Sequence, residues 1–137
     1  MYNVTIITDG SCIPQDPRKP GGWAAILRFG SHEKEIFGAS LGTTSQQMEL
    51  SAVIEAIECL KCPCSIRLET DSQYICETMK GNFKMKANGV LWNHLFALIE
   101  EGEHRLEVHK VRAHTGHRDN ERCDALAKKA LYTLLSE

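Results

Sequence analysis

Eleven residues near the C-terminus, His114 to Asp124, gather two His, two Asp, one Glu and two Arg. Thr115-Gly116 separates the histidines, and the stretch runs into an Ala/Leu/Lys-rich segment with helical spacing. On such a helix Glu121 and Asp124 stand one turn apart on one side. The same face continues through Ala127, Ala130, Leu131 and Leu134. A carboxylate in line with an apolar stripe is costly to bury unless something pairs with it. The plainer reading is a charged loop before a helix N-terminus, where acidic residues are favoured anyway. Three further carboxylates occupy comparable places: Asp9 after V-T-I-I-T, Asp71 after I-R-L-E-T, and Glu49 on the border of an apolar helical stripe. An Asp after a strand is more often a turn former than a ligand. Glu49 could simply favour its helix dipole.

The elements that must position these groups can be read in order. Val4–Thr8 is β-branched throughout and predicts a strand broken by Asp9-Gly10-Ser11. Residues 13–22 hold three Pro and two Gly and predict a loop. Strands follow at Trp23–Phe29 and Lys34–Ala39, an antiparallel meander. Thr44 with Gln47 fits a capping box for a helix running to about Leu60, with Met48, Ala52, Ala56 and Leu60 in one row. Ile66–Thr70 predicts a fourth strand, parallel to the first, and a helix over Ser72–Lys80. A basic loop at Gly81–Gly89, an amphipathic helix at Val90–Glu101, a fifth strand at Leu106–Val111 and a last helix that Asp124 begins complete the chain. No internal repeat or dividing linker breaks it, so residues 1–137 are expected to form one α/β domain.

The 137 residues are 42% hydrophobic and 25% charged, with a net charge of −2. That balance does not mark a general polyanion binder, so contacts with nucleic acid must come from local patches such as Arg18-Lys19, Lys80, Lys84, Lys86 and Lys128-Lys129. No apolar run approaches the ~20 residues of a membrane span. The N-terminus shows no basic region or small-residue cleavage site, so no signal peptide and a cytoplasmic location are expected. Six cysteines are then expected as thiols. Cys59-x-x-Cys62-x-Cys64 offers three soft zinc ligands in cramped spacing with no evident fourth. The spacing also admits a redox-sensitive turn there, and a His114/His117 zinc pair, though without thiolates near it in sequence.

In a mixed sheet, ligand sites form outside the carboxyl ends of the strands. Asp9, Glu49, Asp71 and Asp124 would meet there and repel one another. Hard divalent cations resolve that conflict, and an all-oxygen set favours Mg²⁺ or Mn²⁺ over zinc. Two such ions can clamp the oxygens of a phosphodiester in hydrolysis.

At this point the chain resembles the type 1 ribonuclease H family, in a short form. The matching motifs are I-T-D-G-S-C at 7–12, G-G-W-A-A-I-L at 21–27, T-T-S-Q-Q-M-E-L at 43–50, T-D-S-Q-Y at 70–74, L-W at 91–92 and H-T-G-H-R-D-N-E-R-C-D-A-L-A at 114–127. The resemblance implies an RNase H-like fold: a five-stranded mixed sheet, with meander 1-2-3 plus parallel strands 4 and 5, flanked by helices. It implies an endonuclease cutting the RNA strand of RNA–DNA hybrids, with two Mg²⁺ ions, or Mn²⁺ as substitute, leaving 5′-phosphate and 3′-hydroxyl ends. A monomer with no membrane partner is expected. Asp9, Glu49, Asp71 and Asp124 match the family's metal-binding carboxylates, and His114 its mobile catalytic histidine. Glu121 matches a helper near the metals, while His117 is read as structural. Thr44 and Asn88 match positions that hold a phosphate of the DNA strand. Ser45 and Gln46 match minor-groove contacts, although the family more often has Asn at the position of Ser45. Gln73 matches an RNA contact, and Gly10, Ser11 and Cys12 match backbone groups near ribose 2′-hydroxyls. The long basic, Trp-rich protrusion of many members is reduced here to about Gly81–Gly89, with Phe83 but no Trp. Weak, steeply salt-sensitive hybrid binding is therefore expected. Rival readings are a DNA-cutting nuclease on the same fold and a hybrid-binding module without activity.

Overall fold

The computed structural model describes residues 1–81, 87–112 and 117–137. Five strands and four helices alternate as β1 (Tyr2–Cys12), β2 (Gly21–Phe29), β3 (His32–Ser40), α1 (Ser45–Glu58), β4 (Cys64–Thr70), α2 (Gln73–Met79), α3 (Gly89–Glu101), β5 (Arg105–Lys110) and α4 (Arg118–Leu135). The sheet order is β3-β2-β1-β4-β5. β1, β2 and β3 pair antiparallel, and β4 joins β1 and β5 in parallel. The expected meander with two parallel strands is therefore present.

The central strands are apolar on both faces because both are covered. Val4 and Ile6 of β1, with Leu27, Ile66 and Leu68, face a core completed by α1 and by Trp92 and Leu95 of α3. Ile7 and Ile26 point the other way, to Cys123 and Leu126 of α4. Gly22 makes that second contact possible: a Cβ there would stand 2.1 Å from the Ala127 carbonyl oxygen.

Several expected boundaries move, and three of them matter most for the site. β1 does not stop at Thr8. Its D-G-S-C end stays paired with β2, Asp9 opposite Ala24 and Cys12 opposite Gly21, whereas the pairing with β4 ends at Thr8–Thr70. Gly10 and Ser11 fail to break the strand because β2 still supplies partners. α1 ends at Glu58 with Cys59 as its cap. α4 starts at Arg118 because His117 caps it, Nδ1 accepting from the Asn120 N–H at 3.1 Å. Asp124 consequently lies in the second turn rather than at the helix start.

The capping box at α1 forms by half. The Gln47 N–H donates to Thr44 Oγ1 at 3.2 Å. The Gln47 amide instead accepts from the Thr43 hydroxyl at 3.0 Å and donates to Asn88 Oδ1 at 3.4 Å.

Candidate active site

Asp9, Glu49 and Asp71 converge, each offering a carboxylate oxygen within 4.8 Å of the others. β1 carries Asp9 just past the point where β4 ends, and Asp71 follows that end directly. Glu49 arrives from the first turns of α1. The approach of α1 depends on Gly10, since a Cβ there would lie 2.8 Å from the Glu49 backbone nitrogen and 3.0 Å from the Met48 carbonyl carbon. Both obstacles are backbone, so no rotamer change could relieve them.

The electrostatics of this cluster are unfavourable as it stands. Asp9 and Glu49 are only 4% and 8% exposed. Two charges ~4.8 Å apart repel by ~3–4 kcal/mol at an effective dielectric of 20. Burial, then the neighbouring Asp71, push the Asp9 carboxyl up to about 8, with Asp124 adding to the effect. Burial, then Asp9 and Asp71, raise Glu49 well above the usual carboxylate range. The Gly10 amide, 2.9 Å from Asp9 Oδ1, offsets part of this for both groups. Glu49 Oε2 is buried with no hydrogen-bond partner among the described residues. A crowded all-oxygen set with an orphaned, buried oxygen fits a hard divalent cation, which would supply the missing partner.

Asp124 completes the edge from α4. Its charge reaches Asp9, and its Oδ2 accepts from Lys128 Nζ at 2.9 Å. It lies outside the three-carboxylate group. α4 is held in place from both sides. The Cys123 thiol donates to the Ile7 carbonyl at 3.2 Å. Burial, then Asp9, push that thiol up to about 12, so it is a packing group and not a nucleophile. Arg28 donates to Asp119 Oδ2 at 2.9 Å and Glu33 Oε2 at 2.7 Å. Arg122 pairs with Glu33 and donates to Glu35 Oε2 at 2.8 Å. This clamp ties the first turns of α4 to the β2–β3 hairpin.

The other expected site residues are placed as follows. His114 lies outside the described residues, as do Phe83, Lys84 and Lys86 of the basic loop. His117 is structural, as its cap shows. Glu121 is exposed in the first turn of α4. Gly10, Ser11 and Cys12 form the half-buried end of β1. Thr44, Ser45 and Gln46 are exposed at the start of α1, and Gln73 is exposed at the start of α2. Asn88 stands at the N-terminus of α3 in the left-handed region with φ 61°, its side chain making no capping bond. Its amide donates to Tyr74 Oη at 3.2 Å, and the buried Trp92 Nε1 donates to the same oxygen at 2.8 Å. Gln47 and Tyr74 thus hold Asn88, a role the sequence reading did not assign. The T-T-S-Q-Q-M-E-L, T-D-S-Q-Y and L-W motifs, which supply Gln47, Tyr74 and Trp92, carried its sequence signal.

Cys59, Cys62 and Cys64 do not come together as a group of metal ligands among the described residues. Among the described residues, the carboxylate set is the group of three or more potential metal ligands that comes together. Cys59 Sγ donates to the Glu55 carbonyl and Cys64 Sγ to the Cys62 carbonyl. All six cysteines are free thiols.

The RNase H family model matches residues 1–132. Ribonuclease H from an Acidovorax species is 43% identical over 148 aligned positions, covering 98% of this chain and 99% of its own. The chain belongs to the type 1 ribonuclease H family. It is accordingly an enzyme of the endoribonuclease class. Ribonuclease HI from Campylobacter jejuni is 40% identical over 147 positions, with 100% of this chain and 97% of its own covered. These alignments exceed the 137 residues present, so both relatives carry residues with no counterpart here. Among solved structures, LC11-RNase H1 in complex with an RNA/DNA hybrid superposes with a TM-score of 0.81 at 21% identity, covering 96% of this chain and 99% of that one. The N-terminal RNase H domain of a Mycobacterium tuberculosis protein, solved as a fusion with maltose binding protein, gives a TM-score of 0.81 at 21% identity, with 99% and 98% covered. These two likenesses establish the ribonuclease H fold. Among the described residues, no helix of this ribonuclease H is long and apolar enough to cross a membrane.

Proposed function

We propose that this chain hydrolyses the RNA strand of RNA–DNA hybrids, using Mg²⁺ with Mn²⁺ as a substitute, and leaves 5′-phosphate and 3′-hydroxyl ends. The observation that carries the reading is the convergence of Asp9, Glu49 and Asp71 within 4.8 Å where the pairing of the inner strands β1 and β4 ends. Asp124, beside Asp9, is the fourth group that would hold the ions. Divalent ions held by these carboxylates would polarise the phosphodiester and stabilise charge on the attacking and leaving oxygens.

The chain's own residues bind, orient and move protons. His114 exchanges a proton with the attacking water or the leaving 3′ oxygen, chemistry suited to an imidazole near neutral pH. Glu121 assists from the first turn of α4. Thr44, Ser45 and Gln46 stand exposed where the α1 amides favour an anion, and Thr44 with Asn88 takes a phosphate of the DNA strand. Ser45 and Gln46 enter the minor groove, and Gln73 meets the RNA. The backbone of Gly10, Ser11 and Cys12 approaches ribose 2′-hydroxyls, the group that distinguishes RNA from DNA. The hybrid complex of LC11-RNase H1, on the same fold, supports this substrate. Residues 1–137 act as one monomeric domain, and six free thiols suit a reducing cytoplasm.

The test offers the purified protein end-labelled hybrid, duplex RNA and duplex DNA with Mg²⁺. Cutting confined to the RNA of the hybrid, with products ligatable at a 5′-phosphate, is expected. Cutting of duplex DNA, or 3′-phosphate ends, would overturn the reading.

A further inference from the structure

We infer that Glu69 is a positioning residue for hybrid cleavage, acting through His117 to register the Asp124 helix against the strand that carries Asp71. The inference rests on the function proposed above.

α4 packs on β1, β2 and β3, whereas Asp71 follows β4. Something must relate these two elements across the site. His117 stands at the start of α4, and its Nε2 lies 3.5 Å from Oε1 of Glu69 on β4. Its other nitrogen, Nδ1, accepts the Asn120 N–H and so carries no proton. The ring proton is therefore on Nε2, facing Glu69. The partner of one imidazole nitrogen sets the role of the other. A carboxylate 3.5 Å from Nε2 favours the ring orientation that caps the helix.

Glu69 is itself held. Its side chain is 15% exposed, and Arg67 Nε donates to Oε2 at 3.0 Å. Arg67 Nη1 lies 3.4 Å from His109 Nε2, and His109 meets Glu107 at 2.5 Å. A polar row thus crosses the open face of β4 and β5 and ends on the α4 cap. The buried Asn120 next to that cap leaves its Nδ2 unpaired among the described residues.

Glu69→Gln keeps an oxygen acceptor and should hold kcat within about twofold. Glu69→Ala should lower kcat roughly three- to tenfold with little change in KM for the hybrid, since a displaced catalytic group costs rate more than binding. Adding His117→Asn to Glu69→Ala should restore kcat, because asparagine caps a helix without an oriented ring. Nitrogen NMR of the ring and hydrogen exchange of the Asn120 amide read the cap directly. In Glu69→Ala the Asn120 amide should exchange several times faster, and in Glu69→Gln it should not. Unchanged exchange and kcat in Glu69→Ala, a lowered melting temperature with kcat intact, or failure of the asparagine rescue would each overturn the inference. If wild-type protein cuts no hybrid, the proposed function fails, and the exchange data still judge the cap.

Discussion

Replacing Asp9 by asparagine should abolish cleavage and yet stabilise the fold at neutral pH. The Asp9 carboxyl is pushed up to about 8 in the folded chain, first by burial and then by Asp71, against 3.8 for an unperturbed group. As pH rises above 3.8 the unfolded chain releases this proton while the folded chain keeps it. The stability contribution is therefore fully present below 3.8 and is lost as the pH climbs towards about 8. Each pH unit in that window is worth ~1.4 kcal/mol, so the loss at pH 7 has a ceiling of about 4 kcal/mol. Asparagine escapes the titration but must bury an amide, which costs ~1–2 kcal/mol where its hydrogen bonds are incomplete. The net expectation at pH 7 is a gain of roughly 2 kcal/mol, or about 5–10 °C in Tm. Near pH 4 the gain should vanish and change sign. The assay is thermal unfolding of both proteins by circular dichroism from pH 4 to pH 8 in chelator. A variant less stable than wild type at pH 7, or a difference that does not vary with pH, would refute the reasoning. Added Mn²⁺ should then raise the Tm of wild type, by mass action on the folded state, and raise that of the variant much less.

Three further outcomes are expected. Gly10→Ala should destabilise by ~1–3 kcal/mol, as an overpacked contact does, and lower kcat at least tenfold, because the new Cβ displaces the α1 backbone at Glu49; melting curves and single-turnover rates measure the two parts. Tyr74→Phe removes the oxygen shared by Trp92 Nε1 and Asn88, and should cost ~1–3 kcal/mol in chemical denaturation by orphaning a buried donor. Hybrid affinity, measured by fluorescence anisotropy with an inactive variant in Ca²⁺, should weaken at least about tenfold between ~50 and ~200 mM salt; a flat response would contradict phosphate-dominated binding.

Much of the sheet was legible because burial on both faces writes continuous β-branched runs, as in V-T-I-I-T and W-A-A-I-L. The pairing of Asp9 and Asp71 followed from strand-helix-strand order alone. The end of β1 was misread because Gly10 looks like a breaker, whereas its missing side chain serves the approach of α1. Asp124 was placed at a helix start because the cap is His117, a residue type that gives little capping signal. The ties between distant segments left no periodic trace: Gln47 with Asn88, Arg122 with Glu35, and His117 with Glu69 pair residues 41, 87 and 48 positions apart. His114, proposed as the proton-transferring histidine, was legible only through its motif, and it lies outside the described residues.

The most direct test follows an end-labelled RNA–DNA hybrid during titration with Mg²⁺ and separately with Mn²⁺, using wild type beside Asp71→Asn. The account predicts cutting of the RNA strand alone, absent in chelator, rising with the ion and lost in the variant. Cleavage that persists in chelator, or that survives Asp71→Asn at every ion concentration, would contradict the claim that these buried carboxylates form an ion-dependent ribonuclease site.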